Sequence, residues 1–366
     1  MRVAFVHDWL VTYRGGEKVL DALLTLYPDA PIFTLFYDKS MMPSSITARD
    51  IWVPPVANAL RKCRKLMLPL LPRMIEIMPL QEYDLLISTS SCVAKGALKG
   101  RKARHLCYLH SPMRYIWDQQ AEYIAAVSHI PGAALGIKAL TPSLRHWDVE
   151  SAQRVDRFVV NSTFVGERAK TYYHRDSTVV HPPIELERFK PRTRATQRAG
   201  YFLAAGALVS YKRFDLAIAA AEQAGKRLVI AGSGPMESAL RKRAGATVTF
   251  EIQPTDQRFE TLLAEADALI FPGVEDFGMI AIEAMASGTP VIAYKGGGAR
   301  DFIEPGTTGV FFDEPTPDAL AQVLQAFTPT RFDAQELSRY AARYGRGPFL
   351  DQMRAEITQL LREPPR

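Results

Sequence analysis

The sequence is poor in cysteine and has no long apolar run. Its three cysteines, Cys63, Cys92 and Cys107, are scattered and odd in number. That argues against a disulfide framework and a zinc site, and for a reducing cytoplasm. No apolar stretch reaches the ~18–20 residues that span a bilayer. The opening MRVAFVHDWL lacks a basic lead-in, a long apolar core and a small-residue cleavage site. It is expected to form a buried first strand and not a signal peptide. No G-x-G-x-x-G follows that strand, so the dinucleotide fingerprint is absent, which counts against an NAD-dependent enzyme. Repeats of solenoid length and low-complexity tracts are missing too.

What remains is an ordinary globular composition, 47% hydrophobic and 23% charged, over 366 residues. Such a chain is not expected to be disordered, and it exceeds one typical core, so two domains are expected. Both halves alternate short β-branched runs with helical patterns, the signature of α/β parallel sheets covered by helices. The first half offers RVAFVHD, PIFTLFY, DLLISTS, HLCYLH, RFVVNS and STVVHPP as strands. The second offers YFLAAGAL, RLVIAGSG, TVTFEIQ, DALIFPG, TPVIAY and TGVFFDE. Between them, His181 to Gly200 is rich in proline and charge without an apolar period, and reads as a linker. Sheets of this kind bind ligands at the carboxyl ends of their strands, which places the expected chemistry in a cleft between the domains.

The net charge of +6 is uneven. Residues 1–185 carry 23 Lys/Arg against 17 Asp/Glu, and the remainder has 22 of each. The excess gathers in RKCRKLMLPLLPR (Arg61 to Arg73) and KGRKAR (Lys99 to Arg104). Basic residues beside Leu and Met fit either a solvated face or contact with an anionic membrane. No stacking aromatics or recognition motif accompany them, so nucleic acid is not an expected partner.

Five loops carry candidate chemistry. Gly15 and Gly16, after the first strand, open a helix whose free N–H groups suit an anion, or form a plain strand-to-helix loop. His110, at the end of HLCYLH, is placed to hydrogen-bond a sugar hydroxyl or act as a general base, or to pack under the adjacent aromatics. Lys212 and Arg213 fit a phosphate or pyrophosphate, or a solvated pair. Gly232 and Gly234 precede another helix and offer a backbone nest. The stretch FPGVEDFGMIAIEAMASGTPVIAYKGGG sets Glu275 and Glu283 eight positions apart around Phe277-Gly278-Met279. A helix is expected from about Met279 to Ser287-Gly288, stopped by Pro290. Gly278 lets a bound group approach its positive end, Glu275 can accept from hydroxyls over the turn, and Glu283 from a ribose.

This last stretch resembles the signature of the family-four retaining glycosyltransferases, which have the GT-B fold of two Rossmann-like domains facing across a cleft. The likeness extends over nearly the whole chain through VHDWL…RGGEKVL, HSPMRYIWD, RVDRFVVNS and YKRFDLA. Within the family it is most similar to bacterial O-antigen and exopolysaccharide mannosyltransferases. The resemblance implies an acceptor-side domain over residues 1–185, a nucleotide-sugar domain over 186–345, and a final helix, 346–366, packed back on the first domain. It implies that Gly16 contacts the donor, His110 the transferred sugar, Lys212 the diphosphate, Glu275 the sugar hydroxyls, the Phe277-Gly278-Met279 backbone the sugar and phosphate, and Glu283 the ribose. One departure stands out. The family's Gly-Arg-Leu is Gly-Ala-Leu here, with Ala207 in place of the arginine, and Arg213 is the nearby cation that would compensate.

The expected function is therefore retaining transfer of a hexose, mannose from GDP-mannose being favoured, to a lipid-linked or polysaccharide acceptor. No cofactor is expected beyond this donor substrate, and the lack of Asp-x-Asp implies no required metal. The expected location is the cytoplasm, peripheral to its membrane if the basic face docks there. A UDP-sugar donor, a catalytically weak sugar-nucleotide binder of a polysaccharide assembly complex, and a non-hydrolysing epimerase are the alternatives.

Overall fold

The computed structural model describes residues 1–364 apart from 60, 62–66, 122–123, 125–132 and 192–198. Cys63, part of the basic run Arg61–Arg73 and part of the linker segment therefore lie outside the described residues. The chain divides into two units, Met1–Pro183 with Phe349–Arg366, and Ile184–Pro348.

Unit 1 is built on seven parallel strands: β1 (Val3–His7), β2 (Ile32–Thr34), β3 (Ile51–Trp52), β4 (Leu85–Ser90), β5 (Arg104–Leu109), β6 (Arg157–Val160) and β7 (Thr178–Val179), in the order β3-β2-β1-β4-β5-β6-β7. β1, β4 and β5 are buried along their whole length. Helices cover both faces of the sheet, so burial does not alternate along these strands, and their polar residues Ser88, Thr89, Ser90 and His105 are buried with the apolar ones. The helix Gly15–Leu24 buries Val19, Leu20, Leu23 and Leu24 against that sheet. The last helix, Arg346–Arg362, places Phe349, Met353, Ile357 and Leu360 in the same core as Phe5, Leu20 and Tyr108. Their i, i+4, i+8, i+11 spacing makes one stripe, and each buried side chain contributes roughly 2 kcal/mol. Arg157 of β6 fastens the helix through Glu356 (2.9 Å) and Glu363.

Unit 2 holds six parallel strands: β8 (Phe202–Ala205), β9 (Leu228–Ala231), β10 (Val248–Glu251), β11 (Ala268–Phe271), β12 (Val291–Tyr294) and β13 (Gly309–Phe312), in the order β10-β9-β8-β11-β12-β13. In each unit the strand order reverses beside the first strand, between β1 and β4 and between β8 and β11. These are topological switch points, where loops part and ligands enter such sheets.

Every strand expected from the sequence is present, and the expected stretches overrun the observed strands by up to four residues at their carboxyl ends. Some described elements escaped the sequence reading, two of them for plain reasons. β3 is two residues long, too short to alternate. The helix Ala133–Gln153 carries Pro142 in its interior and a weak apolar stripe. The first part of the segment read as a linker is also more than a tether: Ile184 and Phe189 are buried in unit 2's core, and the Ile184 amide donates to the Tyr344 carbonyl at 2.8 Å. Two apolar residues around a single 3-10 turn leave no period to detect. Among the described residues, no helix is long and apolar enough to cross a membrane.

Candidate functional site

At the switch point of unit 1 the Asp8 carboxylate is buried among donors. It accepts from the amides of Ser91 (2.6 Å), Cys92 (2.9 Å), Val93 (2.7 Å) and Ala94 (2.7 Å), and from the Ser91 hydroxyl (3.1 Å). A carboxylate so surrounded is well compensated for its lost water. It fixes the turn after β4 to the end of β1, filling the backbone nest with the chain's own anion. Sequence reasoning missed Asp8, because its partners lie more than eighty positions away and no spacing reveals them.

Beside it, His7 Nδ1 is 2.6 Å from the Thr89 hydroxyl, and its Nε2 is 4.0 Å from Glu17. Glu17 in turn accepts from the Arg14 amide at 2.9 Å, closing the start of the helix Gly15–Leu24. Gly16 sits where a methyl group would come 3.6 Å from His110 Nε2 and 3.9 Å from the His7 ring. The structure thus brings Gly16 and His110 together and adds His7, which the sequence reading had not singled out.

His110 is held by its backbone. Its amide donates to Ser90 (2.8 Å) and its carbonyl accepts from Asn161 (3.0 Å). Its ring lies edge-on to Tyr108, with centroids 5.2 Å apart. Nε2 is covered and has no hydrogen-bond partner among the described residues. Burial, helped by the charges of His7 and Arg114, pushes the imidazole down to about 3, so it is neutral at ordinary pH. A neutral ring with an unspent nitrogen can give or take one hydrogen bond from a hydroxyl.

In unit 2, Lys212 Nζ and Glu275 Oε1 are 2.5 Å apart, both largely covered. Lys212 ends the 3-10 turn after β8, and Glu275 lies in the loop after β11. The loops touch closely: at Gly273 a methyl group would meet the Tyr211 carbonyl at 2.3 Å, and at Gly206 it would meet Lys212 Nζ at 3.1 Å. Arg213 turns elsewhere. It adopts a left-handed backbone (φ 53°) and pairs with Asp215 at 3.2 Å, on the helix it introduces.

The helix Met279–Ala286 begins after Gly278, whose φ is 104° and where an added methyl group would meet the Phe271 ring at 2.5 Å. Its first turn carries no acidic residue; the carboxylates nearest to it in sequence, Glu275 and Asp276, lie in the loop before it. The Phe277 ring is core, packed on Phe302 and Tyr344, which leaves its backbone for the site. Glu283 is half-buried, and its carbonyl accepts from the Ser287 amide and hydroxyl. The glycines after β12 serve packing: a methyl group at Gly297 or Gly298 would strike the backbone of Glu275 or of Asp276 and Phe277 at 2.5 Å. Gly232 and Gly234 are equally tight, against Gly206 and Leu208. Among the described residues no group of three His, Cys, Asp or Glu side chains is set to hold a metal.

Comparison with known proteins gives these features a context. Residues 185–346 match the family model described as glycosyl transferases group 1, and residues 26–188 the model of glycosyltransferase family 4. The D-inositol 3-phosphate glycosyltransferase of Mycobacterium avium is 32% identical over 308 residues, covering 72% of this chain and 71% of that protein. The structure of Anabaena Alr3699/HepE in complex with UDP superposes with a TM-score of 0.70 at 16% identity, over 98% of this chain and 100% of that one. Sucrose-phosphate synthase of Thermosynechococcus elongatus gives 0.72 at 18% identity, over 99% of both chains.

Proposed function

Because this chain belongs to the family-4 glycosyltransferases and has their GT-B fold, we propose that it is a retaining hexosyltransferase, moving mannose from GDP-mannose to a lipid-linked or polysaccharide acceptor. The observation that carries this reading is the covered Lys212–Glu275 pair beside the switch point of unit 2, next to a helix whose first turn carries no acidic residue. Cation and helix end suit the charge that develops on a departing diphosphate, and a partly dry setting strengthens both.

In the proposed reaction the bond between the anomeric carbon and the diphosphate oxygen breaks, and the acceptor oxygen bonds to that carbon from the same face. The acceptor proton passes to the departing diphosphate. Lys212 and the Met279 helix start hold the charge, Glu275 takes hydroxyls of the hexose, and Glu283 the ribose. Gly15 and Gly16 leave the donor room, and neutral His110 hydrogen-bonds the transferred sugar. Gly234 shapes the nucleotide side with Phe277, Gly278 and Met279. Arg213, paired with Asp215, contributes charge only by leaving that partner.

A UDP-sugar donor is the second reading. Complexes of Alr3699/HepE with UDP and with UDP-glucose favour it. Calorimetric titration of GDP-mannose, UDP-glucose and UDP-N-acetylglucosamine without metal, on wild type and Glu283→Ala, separates the two. Tight binding of one donor, lost in Glu283→Ala, supports the site and fixes the base. Binding of none overturns the transferase reading and favours an assembly protein. Turnover that survives a chelator, with the product anomer read by NMR, tests metal independence and retention. Sedimentation with anionic vesicles at low salt tests the membrane-side acceptor.

A further inference from the structure

A second buried charge pair in unit 1 lies outside the machinery described so far. Lys95 and Asp148 are both fully buried, and the Lys95 ammonium meets Asp148 Oδ1. Asp148 Oδ2 accepts from Trp117 Nε1 and from the Tyr173 hydroxyl, each at 2.8 Å. The ammonium also sits 5.1 Å from the Trp147 ring and 5.3 Å from that of Tyr173. Removing both charges in favour of apolar residues of similar size is often neutral or stabilising for a fold, so such a pair is poor evidence of a stability role. Its best use is to specify one arrangement of whatever it binds.

What it binds is the loop that starts at His110. Lys95 lies in the turn whose preceding amides Asp8 holds, and its own amide donates to the Ser90 hydroxyl at 3.2 Å. The Ser90 carbonyl receives the His110 amide. At the far end, Trp117 reaches Asp148 while stacking on Tyr172, with centroids 4.4 Å apart. The 110–117 loop is thus pinned at His110 to the last residue of β4, and at Trp117, through Asp148, to Lys95 in the turn that follows β4.

We infer that Asp148 is a positioning residue: held by Lys95, it fixes Trp117 and through it the loop that orients the His110 ring. The inference rests on the proposed role of His110 in sugar transfer, and its first test does not require transfer. Trp117→Phe keeps an aromatic ring against Tyr172 and keeps the ion pair, while it removes the bond to Asp148 and trims the ring under Arg145. Ser151→Ala removes a different buried bond to Asp148, the one from the Ser151 hydroxyl to the Asp148 carbonyl at 3.0 Å, within the same helix and away from the loop. Imidazole NMR signals of His110, assigned with His110→Gln, are recorded in both variants together with thermal stability. The expected result is a shifted His110 resonance in Trp117→Phe and a wild-type resonance in Ser151→Ala.

With the donor that the calorimetric titration selects, Trp117→Phe is expected to lower kcat about ten- to a hundredfold, as a small misplacement does, and to change donor KM less than about twofold. Equal effects of the two variants on the His110 signal, or no effect of either, overturn the inference. If wild type transfers nothing, the function proposed above fails, while the NMR comparison still decides this one. Asp148→Asn, which keeps an oxygen acceptor for Trp117, is the rescue variant and is expected to retain the wild-type His110 signal if it folds.

Discussion

Two glycines show how unlike one another residues of one type are. Gly278 has a left-handed backbone against the Phe271 ring, so Gly278→Ala is expected to cost roughly 1–3 kcal/mol. A lowered urea midpoint would show it, whatever happens to ligand binding. Gly16 has ordinary clearance and no positive φ, so Gly16→Ala is expected to fold within about 0.5 kcal/mol of wild type. Its effect should appear in donor affinity instead, and unchanged affinity would remove Gly16 from the site. The histidines set a pH limit. Burial holds both His105 and His110 at about 3, whereas in the unfolded chain they protonate near 6.5. Between those values the unfolded state binds more protons, so stability is intact above about pH 6.5 and falls as pH drops toward 3. The difference in urea midpoint between about pH 7 and pH 5 should shrink in His105→Gln; an unchanged difference would sink the assignment. Glu275 and Lys212 were legible because each sits in a loop directly after a strand. Asp8, Lys95 and Asp148 were not, since their meaning lies in partners distant in the chain.

Elements were legible in proportion to the local signals that end them. The helix Met279–Ala286 has a glycine before it and Ser287-Gly288 after it, and its limits could be read directly. Strands buried on both faces announced themselves as short β-branched runs. The helix Ala133–Gln153 did not, because an interior proline and a diluted apolar face mask its period. The helix Thr163–Tyr173 begins at Ser162, whose hydroxyl accepts from the Val165 amide at 3.1 Å. Ser162→Ala is expected to cost about 1 kcal/mol through the lost cap, and Ser162→Asp to restore most of it. Denaturant unfolding of both variants checks the pair.

For the whole molecule, the segment from Phe349 belongs to unit 1 although unit 2 lies between it and the rest of that unit in the chain. Met353 is fully buried there, and Met353→Ala should cost about 2–5 kcal/mol. A smaller loss on chemical unfolding would mean that the helix contributes little to unit 1. The order of the segments also has a consequence during synthesis. Unit 1's first 183 residues leave the ribosome without the helix that completes their core, and the 165 residues of unit 2 follow first. At common elongation rates that delay is on the order of ten to thirty seconds. Throughout it, the surface around Phe5, Leu20 and Tyr108 that Phe349, Met353 and Ile357 later cover stays open to chaperones and to neighbouring nascent chains.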